Sequence, residues 1–231
     1  MKFSIKAHIL QPLIPTYCLL CQLHAKNHEL ICEHCAETLP KTKNACLQCG
    51  LAILDMQTYC AACKTNPPAF DHTIALFQYE SPISLLIAQL KFQQNLMIAA
   101  LLSRYWIHYF LLHPTQLPEL IIPVPLHYQR LKKRGFNQAL EIAKPVGKYF
   151  GIPVDVSACV KVKNTEAQSS LSAKKRQNNI KNAFMLTRTI KENHVAILDD
   201  VMTTGNTVSE ISVLMKNAGA KRITILCCAR A

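Results

Sequence analysis

Residues 195–207 read V-A-I-L-D-D-V-M-T-T-G-N-T. The apolar run Val195 to Leu198 reads as a buried strand that ends in two carboxylates, Asp199 and Asp200. Val201 and Met202 lead into Thr203, Thr204, Gly205, Asn206 and Thr207, a turn opening a helix. That helix repeats Val208, Ile211, Leu214, Met215 and Ala218 on one face and stops at Gly219. A phosphate suits such a turn. Free N–H groups and the helix dipole attract an anion there. Gly205 allows close backbone approach, and three threonine hydroxyls can donate to phosphate oxygens. Carboxylates repel phosphate but accept from hydroxyls. The set therefore describes a phosphate at one end and a vicinal diol at the other, which is a ribose 5-phosphate. Simple helix capping would use one Thr or Asp and leave the others unexplained.

A second chemistry lies near the N-terminus. Eight of the eleven cysteines form CxxC pairs: Cys18/Cys21, Cys32/Cys35, Cys46/Cys49 and Cys60/Cys63. Adding 28 to each of the first four positions gives the second four, and Leu19/Leu47 and Leu23/Leu51 match at the same offset. The unit C-x2-C-x10-C-x2-C is thus used twice. Two sulfurs on one tight turn can share a metal ion, and two such turns close a tetrahedral four-sulfur site with no open position. Two structural Zn²⁺ ions are expected. A disulfide framework is the alternative, disfavoured in a reducing compartment. Pairing within each repeat closes shorter loops than pairing across repeats and is preferred, though spacing leaves both open. His24, His28 and His34 read as surface residues beside a complete ligand set.

Elements must hold these groups in place. Pro67-Pro68 reads as a stiff linker that sets the expected boundary between a zinc module, residues 1–66, and a larger domain, 67–231. Phe70 to Tyr79 is rich in strand formers. Ile83, Leu86, Ile87 and Leu90 recur at helical spacing, with Lys91 at the end, and Leu96 to Leu112 reads as a long apolar helix. Its aromatics, Tyr105, Trp106, Tyr109 and Phe110, read as core. Leu120 to Leu126 is a buried strand ending in a loop. The following HYQRLKKRGFNQ reads as a cationic loop at the strand's carboxyl edge, where α/β sheets bind ligands. Pro145 should kink or split the helix expected over Ala139 to Tyr149. Cys159, Cys227 and Cys228 read as buried structural thiols.

The strand-D-D-V-x-T-T-G-x-T pattern resembles the phosphoribosyl pyrophosphate (PRPP) signature of type I phosphoribosyltransferases. Four CxxC pairs, then QLKF (Gln89 to Phe92), PVPL (Pro123 to Leu126), RGFNQ (Arg134 to Gln138) and Ala183-Phe184, make the whole chain similar to the ComF family of competence-associated proteins. The resemblance implies an α/β fold, a type I phosphoribosyltransferase-like parallel sheet flanked by helices, behind a small double zinc-ribbon module. It implies that Asp199 and Asp200 contact ribose hydroxyls and that residues Val201 to Thr207 bind PRPP. Pro125, Leu126, Arg130 and Arg134 match the pyrophosphate loop, which works with Mg²⁺. The polar segment Asn164 to Ala183 matches a mobile hood through Gln168, Leu171, Arg176 and Asn179, and Arg176 joins Asp199 and Asp200 as a candidate catalytic group. No motif defines a pocket for an acceptor base, and none supplies a proton donor.

Composition narrows the role. Among 231 residues, Lys and Arg number 26 and Asp and Glu 14, a net charge of +12. Eight thiolates and two Zn²⁺ bring −4, leaving about +8. Such a balance suits an anionic partner. No segment reads as a transmembrane helix, because Leu96 to Leu112 is short for a span and carries Arg104 and His108. Pro12 and Pro15 interrupt the N-terminal stretch, which reads as cytoplasmic and mature. Three functions compete. One is Mg²⁺-dependent phosphoribosyl transfer to an unidentified acceptor. Another is the handling of incoming single-stranded DNA in natural transformation, with PRPP as regulator or relic and a helicase-like motor or DNA as partner of the zinc module. The third is nucleotide salvage without a DNA role.

Overall fold

The structure is a computed structural model that describes residues 17–26, 29–53, 57–113, 117–165 and 182–231. The chain divides into two compact units, Met1–Thr38 and Leu39–Ala231.

The smaller unit is organised by a cysteine knuckle. Cys18 N–H donates to Leu23 C=O at 2.8 Å and Gln22 N–H to Cys18 C=O at 2.9 Å, while Tyr17 and His24 form an antiparallel bridge. A short helix, α1 (Glu33–Glu37), follows Cys32 and buries Cys35. The same construction recurs 28 residues later in the larger unit. Cys46 N–H donates to Leu51 C=O at 2.8 Å, Gly50 N–H to Cys46 C=O at 2.8 Å, and Ala45 bridges Ala52. Helix α2 (Ala61–Thr65) follows Cys60 and buries Cys63. Gln22 and Gly50 even share the left-handed conformation, with φ of 60° and 69°. The duplication seen in the spacing is therefore a duplication of backbone geometry.

The second repeat is joined to a four-stranded parallel sheet of order β1-β6-β5-β2: β1 (His72–Gln78), β6 (Arg222–Arg230), β5 (His194–Met202) and β2 (Leu120–Pro123). Thr73 N–H donates to Leu47 C=O at 2.9 Å and Thr73 Oγ1 to Gln48 C=O at 2.6 Å. Gln48 Nε2 reaches the carbonyls of Pro68 and Phe70. A Cβ on Gly50 would stand 2.7 Å from Thr73 Cγ2, so only glycine lets the knuckle approach β1 this closely.

Strands buried on both faces should be near-continuous apolar runs, and β5 and β6 are. Helix α4 (Leu96–Leu112) has the expected bounds, with Trp106 and Phe110 buried and Tyr105 and Tyr109 half-buried, and α3 (Ile83–Gln93) buries Ile83, Leu86, Ile87 and Leu90 as expected but continues two residues past Lys91. Trp106 Nε1 donates to Cys228 Sγ at 3.3 Å, which joins α4 to β6. α4 packs on α6 (Gln138–Phe150), and α6 packs on β5 and β2. Helix α7 (Asn206–Asn217) packs instead with β6 and β4 (Phe184–Leu186), the partner of β3 (Cys159–Lys161) in a separate antiparallel pair. Val208, Ile211 and Met215 of α7 share one core with Leu120, Ile122, Val195, Ile197, Ile223 and Ile225. Cys159, Cys227 and Cys228 are buried, as expected.

Two expectations are corrected. The cationic segment after β2 is a helix, α5 (Tyr128–Arg134), rather than a loop. His127 Nδ1 accepts from Gln129 N–H, and Gly135 at φ 83° closes the other end, its N–H on Leu131 C=O. Pro145 does not split α6, which runs unbroken from Gln138 to Phe150. Its ring is exposed, while Ile142, Ala143, Val146 and Gly147 pack the helix into the core. Pro145 deprives Glu141 C=O of its helical partner, a loss that solvent can make good at this exposed face.

Candidate functional site

The carboxyl ends of β5 and β2 lie side by side, and the chain leaves them in different directions, from β5 to α7 and from β2 to α5 and α6. This is the switch point at which an open α/β sheet leaves a crevice for ligands. Val124 N–H donates to Leu198 C=O at 2.9 Å and so fixes the β2 exit against β5. Asn137 locks the next step. Its Oδ1 caps α6 by accepting from Ala139 and Leu140 N–H, and its Nδ2 donates to Val124 C=O at 3.0 Å. Pro125 and Leu126 are half-buried between them.

At the end of β5 the two carboxylates differ. Asp200 is buried and ion-paired with Lys91 Nζ at 2.6 Å. Burial works against the Lys91 ammonium, but Asp200 outweighs it and holds the amine above its ordinary range. Asp199 accepts from Asp200 N–H at 2.9 Å. Burial, followed by the adjacent Asp200, holds the Asp199 carboxyl well above the usual carboxylate range, with Lys91 pulling the other way. Lys161, on β3, is pushed down to about 8 by burial and by Arg130, against the attraction of Asp199. Its ammonium lies over the Phe184 ring, 5.5 Å from the centroid. Burial also lowers Arg134, which feels Asp200 and Arg130. Arg130 Nη2 donates to Thr165 C=O at 3.1 Å. The structure thus brings Lys91, Arg134 and Lys161 toward the two carboxylates, with Arg130 beside Arg134 and Lys161. Lys91 and Lys161 were absent from the expected site, although Lys91 lies within QLKF.

The turn leads from Met202 to α7 with Gly205 as the N-cap residue, at φ 77°, so the cap position itself carries no side chain. Glycine at the cap leaves the first N–H groups of the helix approachable by an anion. Asn206 and Thr207 begin the helix, half-buried, and Thr204 is exposed. Gln168, Leu171, Arg176 and Asn179 of the expected hood lie outside the described residues. Asn182 N–H donates to Glu210 of α7 at 2.8 Å.

The eight paired cysteines form two groups, Cys18/Cys21/Cys32/Cys35 and Cys46/Cys49/Cys60/Cys63, each with its sulfurs within 4.8 Å of one another. Pairing is within each repeat. Cys21 to Cys32 and Cys49 to Cys60 are 3.7 Å between sulfurs. Zinc–sulfur bonds of about 2.3 Å in a tetrahedron place sulfurs about 3.8 Å apart, whereas a disulfide needs about 2.05 Å. Burial disfavours the Cys18 and Cys46 thiolates, but backbone N–H groups outweigh it and bring them to about 6 and about 7. These donor sets fit two structural Zn²⁺ ions.

Known proteins agree with both halves of this architecture. The profile described as "Double zinc ribbon domain" matches residues 9–64, and "Phosphoribosyl transferase domain" matches 136–231. "DNA utilization protein YhgH" of Salmonella typhimurium is 36% identical over 222 residues, 94% of this chain and 98% of that protein. "Competence protein F" of Haemophilus influenzae is 36% identical over 226 residues, 93% of this chain and 96% of that protein. The chain belongs to the ComF family. The ComF fold is accordingly a type I phosphoribosyltransferase-like sheet with two N-terminal four-cysteine zinc sites. A purine phosphoribosyltransferase from Pyrococcus horikoshii Ot3 is a weak structural match, with a TM-score of 0.31 and 19% identity over 68% of this chain and 77% of that one. Among the described residues, no helix of this ComF chain is long and apolar enough to cross a membrane.

Proposed function

We propose that this ComF-family chain binds PRPP with Mg²⁺ at the carboxyl edge of β5 and β2 and acts on single-stranded DNA in the cytoplasm during natural transformation. The observation that carries the ligand is the glycine-led start of α7 that follows Asp199 and Asp200 at the carboxyl end of β5. Residues Thr203 to Thr207 take the 5-phosphate. Asp199 and Asp200 accept from the ribose hydroxyls. Arg130 and Arg134, on the inward side of α5, face the pyrophosphate, and Mg²⁺ arrives as part of the PRPP complex. Arg176, which matches the family's hood motif, is the remaining candidate catalytic group. Phosphoribosyl transfer to an acceptor is the chemistry such a site serves, and acceptor-dependent release of pyrophosphate is its direct assay.

Thermal melts with PRPP and Mg²⁺ test the binding. Ligand at 100 times its dissociation constant stabilises by about 2.7 kcal/mol, a rise of roughly 5–10 °C. Asp199→Asn/Asp200→Asn should abolish the rise. A shift that survives in the double variant would move the ligand elsewhere.

The DNA role draws on the outward side of α5. Tyr128 is 70% exposed and shares that ridge with Leu131 and Lys132, one helical turn apart, in a helix with four cations and no acid. Aromatic and cationic groups together suit a single strand, whose bases stack while its phosphates pair. Binding of an oligonucleotide should fall linearly with salt on log–log axes, and Tyr128→Ala should weaken it. Salt-independent binding would favour nucleotide salvage instead.

A further inference from the structure

Arg230, the last residue of β6, bonds to two sites at once. Its Nε donates to the carbonyl oxygen of Cys49, a member of the second cysteine cluster, at 2.9 Å. Its Nη1 donates to the carbonyl of Met202 at 3.2 Å and to that of Thr203. One guanidinium therefore ties the knuckle between Cys46 and Cys49 to the turn that opens α7.

The direction of these bonds matters. In a trans peptide the C=O and the next N–H point in opposite directions. Met202 C=O also accepts from Ala231 N–H at 3.0 Å, and Arg230 adds its hold on Thr203 C=O. With both carbonyls turned toward β6, the N–H groups of Thr203 and Thr204 point away from it, to the side an anion would occupy. A cation on the carbonyl end also strengthens the N–H end as a donor, because bonds in a chain polarise one another. Arginine suits this position. Its planar fork places Nε on Cys49 and Nη1 on the turn at once, whereas lysine has a single nitrogen to serve both ends.

We propose that Arg230 is a positioning residue that couples metal occupancy of the Cys46/Cys49/Cys60/Cys63 site to anion affinity at the Thr203–Thr207 turn. The anion is a phosphate monoester, so the proposal rests on the phosphate reading of that turn. The Cys18/Cys21/Cys32/Cys35 site has no part in this coupling.

The experiment uses the full chain as wild type, Arg230→Lys, Cys60→Ser, Cys32→Ser and the Arg230→Lys/Cys60→Ser double variant. Ribose 5-phosphate is the probe in titration calorimetry, and amide hydrogen exchange at residues 203–207 is read without ligand. Arg230→Lys should keep two zinc ions per chain, weaken ribose 5-phosphate about tenfold and speed exchange at the turn by a similar factor. Cys60→Ser should lose one zinc ion and show both changes, and the double variant should be no worse. Cys32→Ser should lose one zinc ion and show neither. Wild-type exchange in Arg230→Lys, or losses that multiply in the double variant, would overturn the coupling. If Cys60→Ser fails to fold, Arg230→Lys still decides, because it cuts the span without touching a zinc ligand. If wild type takes up no ribose 5-phosphate, the phosphate reading fails, and the exchange data judge the coupling independently.

Discussion

Asp199 and Asp200 are adjacent in sequence but differ in their surroundings. Asp200 has the Lys91 ammonium at 2.6 Å. Asp199 has burial and a neighbouring carboxylate, so its folded pKa lies well above its unfolded one. The folded chain then keeps a proton that the unfolded chain releases. The stability this proton supplies is complete below about pH 4 and declines as pH rises through the folded value. Asp199→Asn removes that titration. It should gain on the order of 1 kcal/mol at pH 7.5 and nothing at pH 3.5, read from urea midpoints. An equal gain at both pH values would mean that the carboxylate carries no such strain. The stability is withheld where a ligand hydroxyl is proposed to bind, the usual exchange between stability and function. Lys161 has the opposite titration. Its folded value of about 8 lies below that of a free lysine, so stability should rise with pH between about 8 and 10.5.

At the scale of elements, α7 begins at Gly205 in the left-handed region. A Cβ there would meet Met202 Sδ at 3.7 Å and Phe70 Cζ at 3.8 Å, which is ordinary contact. Gly205→Ala should therefore cost only the conformational strain of about 1 kcal/mol, seen as a modest fall in melting temperature. A loss of several kcal/mol would reveal a steric conflict that these distances exclude. This strand, turn and helix were legible because apolar runs, glycine and helical spacing are local signals, and α4 was legible for the same reason. Helix α5 was not, since four cations in seven residues suggest repulsion and loop, while the caps His127 and Gly135 decide otherwise. Pro145 misled because its disfavoured position faces outward, where packing on the other side of α6 prevails. Lys91, Lys161 and Arg230 escaped the reading for a different reason. Each comes from a distant part of the chain, and the fold alone brings Lys91 and Lys161 to the carboxylates and Arg230 to the turn.

At the scale of the whole molecule, two knuckles of the same geometry have different surroundings. The first lies in the unit Met1–Thr38, and the second is hydrogen-bonded to β1 and β6 of the unit Leu39–Ala231. Removing metal from each should therefore have different consequences. Cys32→Ser should lose one zinc ion and leave the calorimetric melt of the larger unit where it was. Cys60→Ser should lose one zinc ion and lower that melt, because Gln48, Gly50 and Cys49 lose their fixed geometry against Thr73, Phe70 and Arg230. Equal effects from both variants would show that the two metals stabilise one cooperative structure.

The bond from Trp106 to Cys228 makes the larger unit self-reporting. Trp106 is the one tryptophan in the sequence, fully buried, with a thiol sulfur 3.3 Å from its indole nitrogen. A nearby thiol quenches indole emission, and an apolar core shifts it to the blue. The native chain should therefore be dim and blue, and unfolding should make it brighter and redder at once. That optical signal follows α4 and β6, so it should pass unaltered through loss of the first zinc ion and change when the sheet comes apart.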